Sequence, residues 1–150
     1  MGEIIKESKN FVFTKAGQTI SRRILLAEDD KPVQNIIYRF LEFMGFEVSL
    51  ADNGIEALAV FIEGSFEIVL TDFNMPVMNG LSLAIQIKKR SPSTPIILLT
   101  GSERGGIFKI LKGGPFYSVI FKPFKMTDLQ RTVQGALSSR GGEHKGVEEG

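Results

Sequence analysis

Four polar clusters in this 150-residue chain stand directly at the ends of short apolar runs, and their side-chain types could hold a cation and capture an anion. Glu28-Asp29-Asp30 follows Ile24–Ala27, and Thr71-Asp72 closes a run that starts at Ile68. Thr100 closes Ile96–Thr100, and Lys122-Pro123 follows Val119–Phe121. Carboxylates crowded into one volume repel each other, and a desolvated charge is costly unless it is compensated. A hard divalent cation is the natural compensation: magnesium takes oxygen ligands from one or two carboxylates and keeps positions for water and phosphate oxygens. Asp72, alone at the tip of its run, could then act as a nucleophile toward a phosphoryl group. Thr100 would bind phosphoryl oxygens by hydrogen bonding and Lys122 by charge.

Taken singly, each of these residues has an ordinary use, and that use is the better reading. Asp30 suits a helix N-cap, Asp72 can open a turn, and Asn74-Met75-Pro76 is turn chemistry in any fold. Thr100 can end a strand without a role, and Lys122 can be a solvated charge. Jointly the balance reverses. Acid, acid, hydroxyl and ammonium occupy four successive run ends in an order that one site can use.

The elements that must position them follow from patterning. The four runs do not alternate with polar residues, so they read as strands buried on both faces of a parallel sheet. A fifth run, Phe46–Leu50, carries Glu47 and Ser49 and fits a half-exposed edge strand. Between the runs lie helical patterns. Val33, Ile36, Ile37, Phe40, Leu41 and Met44 form one apolar stripe, opened by Asp30 and Pro32 and closed by Gly45 in a left-handed conformation. Asn53 caps a second helix, with Ile55, Leu58, Ala59 and Ile62 predicted on its inner face and Gly64 at its end. A third runs from about Asn79 to Arg90 and stops at Ser91-Pro92. A fourth is expected near Glu103–Lys112, and a fifth carries Leu129, Val133 and Leu137 on one face. Strand and helix alternate five times, the pattern of a doubly wound α/β sheet whose ligands bind at the carboxyl ends of the strands.

Composition narrows the chemistry further. There is no cysteine, so no disulfide, thiolate nucleophile or zinc-thiolate site, and a reducing, cytoplasmic setting is expected. The single histidine, His144, lies in a glycine-rich tail, which excludes a histidine triad or multi-histidine metal site and leaves oxygen ligands. A net charge of +1 gives no electrostatic case for nucleic acid, and no run is long enough to span a membrane. The start, MGEIIKESKN, lacks the apolar core of a signal peptide. Three segments are expected: an extension or linker over residues 1–21, one domain over 22–139, and a flexible tail over 140–150.

With the segments ILLAEDD (24–30), VLTDFNMPVMNG (69–80), PIILLTG (95–101) and VIFKPF (119–124) in this order and spacing, the sequence resembles the receiver domains of two-component signalling. The resemblance implies a five-stranded parallel sheet in order 2-1-3-4-5, flanked by five helices (a CheY-like, flavodoxin-like fold). It implies Asp72 as phosphoacceptor, Thr100 as switch hydroxyl and Lys122 as phosphate-binding lysine. It also implies Mg²⁺ held by Asp29, Asp72 and the backbone carbonyl of Asn74, with Glu28 acting through water. It further implies a cis Lys122–Pro123 bond, and Gly80 turning the chain into the third helix. The implied partner is a histidine kinase or histidine phosphotransfer protein that supplies the phosphoryl group. The domain would belong to a response regulator or a hybrid kinase.

Two departures from the family pattern stand out. Val119 occupies the position where many receivers carry a switching aromatic, and Tyr117, two residues earlier, does not inherit the role. The small-residue segment before the last strand is replaced by Lys112-Gly113-Gly114-Pro115-Phe116. Ile107, Phe108, Ile110, Leu111, Phe116 and Phe124 supply more apolar material than a short helix needs. They could be core, or a homodimer face built from the fourth helix, fifth strand and fifth helix. Other classes fit less well. A pseudo-receiver would not need the acceptor, acids, hydroxyl and lysine together. A haloacid-dehalogenase-type phosphatase needs a second aspartate where this chain has Asn74. No G-x-G-x-x-G follows the first strand, and no output domain that binds DNA fits in the chain.

Overall fold

The computed structural model describes residues 11–13, 19–101 and 113–139. Strands β1 (Phe11–Phe13) and β2 (Thr19–Ser21) pair antiparallel, Phe11 opposite Ser21, in a segment whose sequence reads only as a linker. The main sheet follows: β3 (Arg23–Ala27), β4 (Glu47–Ala51), β5 (Ile68–Asp72), β6 (Ile96–Thr100) and β7 (Ser118–Phe121). All its pairs are parallel and the order is β4-β3-β5-β6-β7, which is 2-1-3-4-5 counted within this sheet. Helices α1 (Lys31–Phe43), α2 (Gly54–Glu63), α3 (Gly80–Arg90) and α4 (Met126–Ser139) cover it. The helix expected at Glu103–Lys112 and the tail from residue 140 lie outside the described residues.

Side-chain alternation along the strands builds two cores. Leu25, Ala27, Val69, Ile96 and Leu98 face one side, with Ala57 and Phe61 of α2 and Leu83, Ala84 and Ile87 of α3. Ile24, Leu26, Ile68, Leu70, Ile97 and Leu99 face the other, with Ile37 and Leu41 of α1 and Leu129, Val133 and Ala136 of α4. Strands β5 and β6 are buried at every position, whereas β4 at the sheet edge leaves Glu47 and Leu50 exposed. The central run ends are therefore polar groups delivered by rigid, fully packed strands.

The helix ends follow local chemistry. Asp30 accepts a hydrogen bond from the Val33 N–H, Asn53 from Glu56 and Asn79 from Ser82. Gly45, at φ 98°, takes the chain out of α1. The inner faces of two helices need correction. Ile36 is 56% exposed, and α1 buries Gln34, Ile37 and Leu41 instead. In α2, Ile55 and Ile62 are about half exposed and Ala59 is exposed, while Gly54, Ala57 and Phe61 are buried. The sequence of α2 is apolar nearly all round, so two overlapping stripes satisfy helical spacing. The inward one carries small residues where the helix must approach closely, and its Phe61 ring stacks on Phe66 with centroids 6.0 Å apart.

Of the residues offered for a dimer face, Phe116 is buried in the core beneath α2 and α3, and Phe124 packs partly against the opposite one. Ile107, Phe108, Ile110 and Leu111 lie outside the described residues.

Candidate functional site

The parallel order brings the carboxyl ends of β3 and β5 side by side, with Ala27 opposite Thr71 in register. Beyond those ends Glu28, Asp29 and Asp72 each offer a carboxylate oxygen, and the three oxygens lie within 4.8 Å of one another. Glu28 and Asp72 are buried; Asp29 is exposed. Lys122 reaches over from the far side of the sheet. Its Nζ stands 3.1 Å from Glu28 Oε1 and 3.5 Å from Asp72 Oδ2.

Backbone donors fix the orientation of two of the carboxylates. The Asp30 N–H donates to Glu28 Oε2 at 3.1 Å, and the Phe73 N–H to Asp72 Oδ1 at 2.8 Å. Asp72 therefore turns Oδ2 toward the lysine. The Lys122–Pro123 bond is cis, and the Lys122 N–H donates to the Thr100 carbonyl at 2.8 Å, so β6 and β7 end together. Thr100 is fully buried at the β6 terminus. Asn74 is exposed, two residues beyond Asp72.

The electrostatics are unbalanced. Burial and the nearby Asp72 charge push the Glu28 carboxyl above its ordinary range, against the opposing Asp30 N–H and Lys122. Burial alone would lower Lys122, but the charges of Asp72 and Glu28 outweigh it and hold the ammonium above its usual value. Among the described residues three carboxylates gather beside one ammonium, that of Lys122, so the site has room for a further positive charge. The all-oxygen donors fit a hard cation such as magnesium, and the exposed side at Asp29 leaves an approach for it.

Two supporting residues escape the sequence reading. Gln34, buried on α1, donates from Nε2 to the Glu28 carbonyl and to Asp52 Oδ1, both at 2.9 Å. Its signal was a polar residue three before Ile37 and seven before Leu41, on their face of the helix. Gly54, at the start of α2, lies against the backbone of Met78, a contact across 24 positions that no local pattern announces. Tyr117 is buried in the core beneath α4, on the side of the sheet opposite to Val119.

Comparison with known proteins finds the same region. Residues 24–134 match the response regulator receiver domain family. The chain is 33% identical over 116 residues to the response regulator receiver protein CpdR of Brucella abortus, covering 77% of this chain and 97% of that protein. It is 34% identical over 120 residues to the regulatory protein AtoC of Escherichia coli, covering 79% of this chain and 26% of AtoC. The chain spans about half, or a quarter, of the length of the first curated relatives it matches. Among solved structures, the receiver domain of the sensor histidine kinase PA1611 from Pseudomonas aeruginosa superposes with a TM-score of 0.71 at 29% identity. That match covers 79% of this chain and 98% of the other, which holds a magnesium ion in its active site cleft.

Proposed function

The chain belongs to the response regulator receiver domain family, and from that premise we propose that Asp72 accepts a phosphoryl group from a phosphohistidine of a partner histidine kinase or histidine phosphotransfer protein. The observation that carries the reading is the cluster of three carboxylates within 4.8 Å at the ends of β3 and β5, with the Lys122 ammonium against two of them. Asp72 Oδ2 is the oxygen left toward Lys122, because Oδ1 already accepts from Phe73. In the transfer, Oδ2 forms the new bond to phosphorus. The bond from phosphorus to the donor's imidazole nitrogen breaks, and its electron pair returns to that nitrogen.

Lys122 binds the transferred oxygens by charge and Thr100 by hydrogen bonding, replacing part of the water lost on entry. Glu28, Asp29, Asp72 and the Asn74 carbonyl would hold Mg²⁺, whose charge when bound offsets that of the carboxylates and the phosphoryl oxygens. The product carries about −1.5 to −2 charge and three acceptor oxygens, a local change large enough to bias a two-state element. With Val119 in the usual aromatic position, transmission starts from Thr100. Residues 22–139 act as the receiver unit, between an N-terminal extension and a C-terminal tail, within a cytoplasmic response regulator or hybrid kinase. No helix among the described residues is long and apolar enough to cross a membrane. A phosphorylation-dependent homodimer would use the fourth helix, the fifth strand and the fifth helix, and that fifth strand, β7, is an edge strand of the sheet.

Incubation with acetyl phosphate and Mg²⁺ tests the assignment. One phosphoryl group should be taken up by the wild type and none by Asp72→Asn; undiminished uptake by the variant would overturn it.

A further inference from the structure

We infer that the corner between β4 and α2, residues Asp52 to Gly54, sets the spacing between the two halves of the phosphoryl site, with Gln34 and Gly54 as positioning residues. The inference rests on the reading of Asp72 and its neighbours given above. One half of the site is the Glu28-Asp29 loop after β3; the other is the 73–79 loop, which carries Asn74 and orients Asp72. Lys122 spans the two carboxylates from within the site. The corner touches both halves from outside.

Toward the acid pair, the connection is hydrogen bonded. The Ala51 carbonyl accepts from the Glu28 N–H at 3.1 Å. Gln34 Nε2 ties the Glu28 carbonyl to Asp52 Oδ1, and Lys31 Nζ holds the same Asp52 oxygen at 2.8 Å. The Asp52 N–H is itself bound to Glu56 Oε1 at 2.7 Å, which joins the corner to the first turn of α2.

Toward the other half, the connection is steric. A Cβ on Gly54 would stand 2.3 Å from the Met78 carbonyl oxygen and 2.7 Å from Met78 Cβ. Ordinary contact begins at 3.4 Å, so an added methyl must displace either helix or loop by about 1 Å. The helix start is held by the Asn53 cap and packed on the core. The loop is held in one piece. The Gly80 N–H closes it onto the Phe73 carbonyl at 2.8 Å, and Gly80 itself lies against the Asp72 carbonyl. Between them the Met78 N–H bonds to the Pro76 carbonyl at 2.8 Å around Val77 at φ 72°. A push at Met78 is therefore passed along a stiff loop to Asn74 and to Phe73, whose N–H orients the Asp72 carboxylate.

Gly54→Ala and Gln34→Met should each bind Mg²⁺ about tenfold more weakly than the wild type in calorimetric titration, the effect expected when a support behind a metal ligand is lost. Amide resonances of Phe73 and Asn74 should shift in metal-free Gly54→Ala, and that of Asp29 in metal-free Gln34→Met. Ala59→Gly, exposed on the same helix, weakens α2 without touching either half, so its Mg²⁺ affinity should stay within about twofold. If wild type binds Mg²⁺ and both positioning variants, shown folded by circular dichroism, bind it equally well, the positioning role is overturned while the site assignment stands. It is overturned equally if Ala59→Gly weakens binding as much as they do. If the wild type binds no Mg²⁺, the site assignment falls and takes the positioning role with it.

Discussion

Replacing Asp72 by asparagine should make the metal-free protein more stable, although it removes the residue on which the function depends. Asp72 is repelled by Glu28 and Asp29, with oxygens within 4.8 Å, and attracted by one ammonium at 3.5 Å. With an effective dielectric constant near 20, each repulsion is about 3.5 kcal/mol and the attraction about 4.7 kcal/mol. The balance is a net repulsion of roughly 2 kcal/mol, and the exposure of Asp29 reduces it to about 1 kcal/mol after solvent screening. Asparagine keeps an oxygen for the Phe73 N–H and replaces Oδ2, beside Lys122, by a neutral amide NH2. Urea unfolding in EDTA should therefore give a midpoint above wild type with an unchanged slope. Magnesium should reverse the order: it stabilises a protein that binds it by about 2.7 kcal/mol at one hundred times the dissociation constant, and should add little to the variant. A variant less stable than wild type in EDTA, or equally stabilised by magnesium, would refute the electrostatic reasoning.

Three further outcomes follow from particular residues. Val77 is a β-branched residue held at φ 72° and largely exposed, so Val77→Gly should raise stability by about 1 kcal/mol in the same urea assay, whereas Val77→Ala should not. Phe61→Ala should cost about 3 kcal/mol and Ile55→Ala less than about 1 kcal/mol, the reverse of what the inner face read from sequence would require. The Lys31 ammonium and the Gln34 amide hold Asp52 below the ordinary aspartate value of 3.8. A group lowered in the folded state contributes stability that is complete above that ordinary value and is lost as pH falls through the lowered one. Carboxyl NMR titration should show the depressed value, and Lys31→Met should move it upward.

The strands and the site were legible because both depend on residue type in short segments. Ile68–Leu70 and Ile96–Leu99 are apolar without alternation, which only a sheet covered on both sides accommodates. Glu28, Asp29, Asp72 and Lys122 were legible from their places at run ends, because parallel strands deliver all their carboxyl ends to one edge. The faces of α1 and α2 were not. Their apolar residues exceed what one face can bury, and the choice between stripes is made by tertiary contacts, among them Gln34 on the Glu28 carbonyl and Gly54 beneath Met78. Gln34 shares a face with Ile37 and Leu41, but the Glu28 carbonyl that makes a polar group useful there is a tertiary contact. The β1–β2 pairing was missed for a different reason: each strand is only 3 residues long, too short for a periodic signal.

The covalent phosphoryl group should form on one particular carboxylate. Borohydride reduces an acyl phosphate to an alcohol, so protein treated with acetyl phosphate and Mg²⁺ and then reduced should carry homoserine in place of the phosphorylated aspartate. Peptide mass spectrometry should find that conversion at Asp72 and leave Glu28, Asp29 and Asp30 intact. Reduction at any of those three, or phosphate retained elsewhere with Asp72 unchanged, would contradict the account.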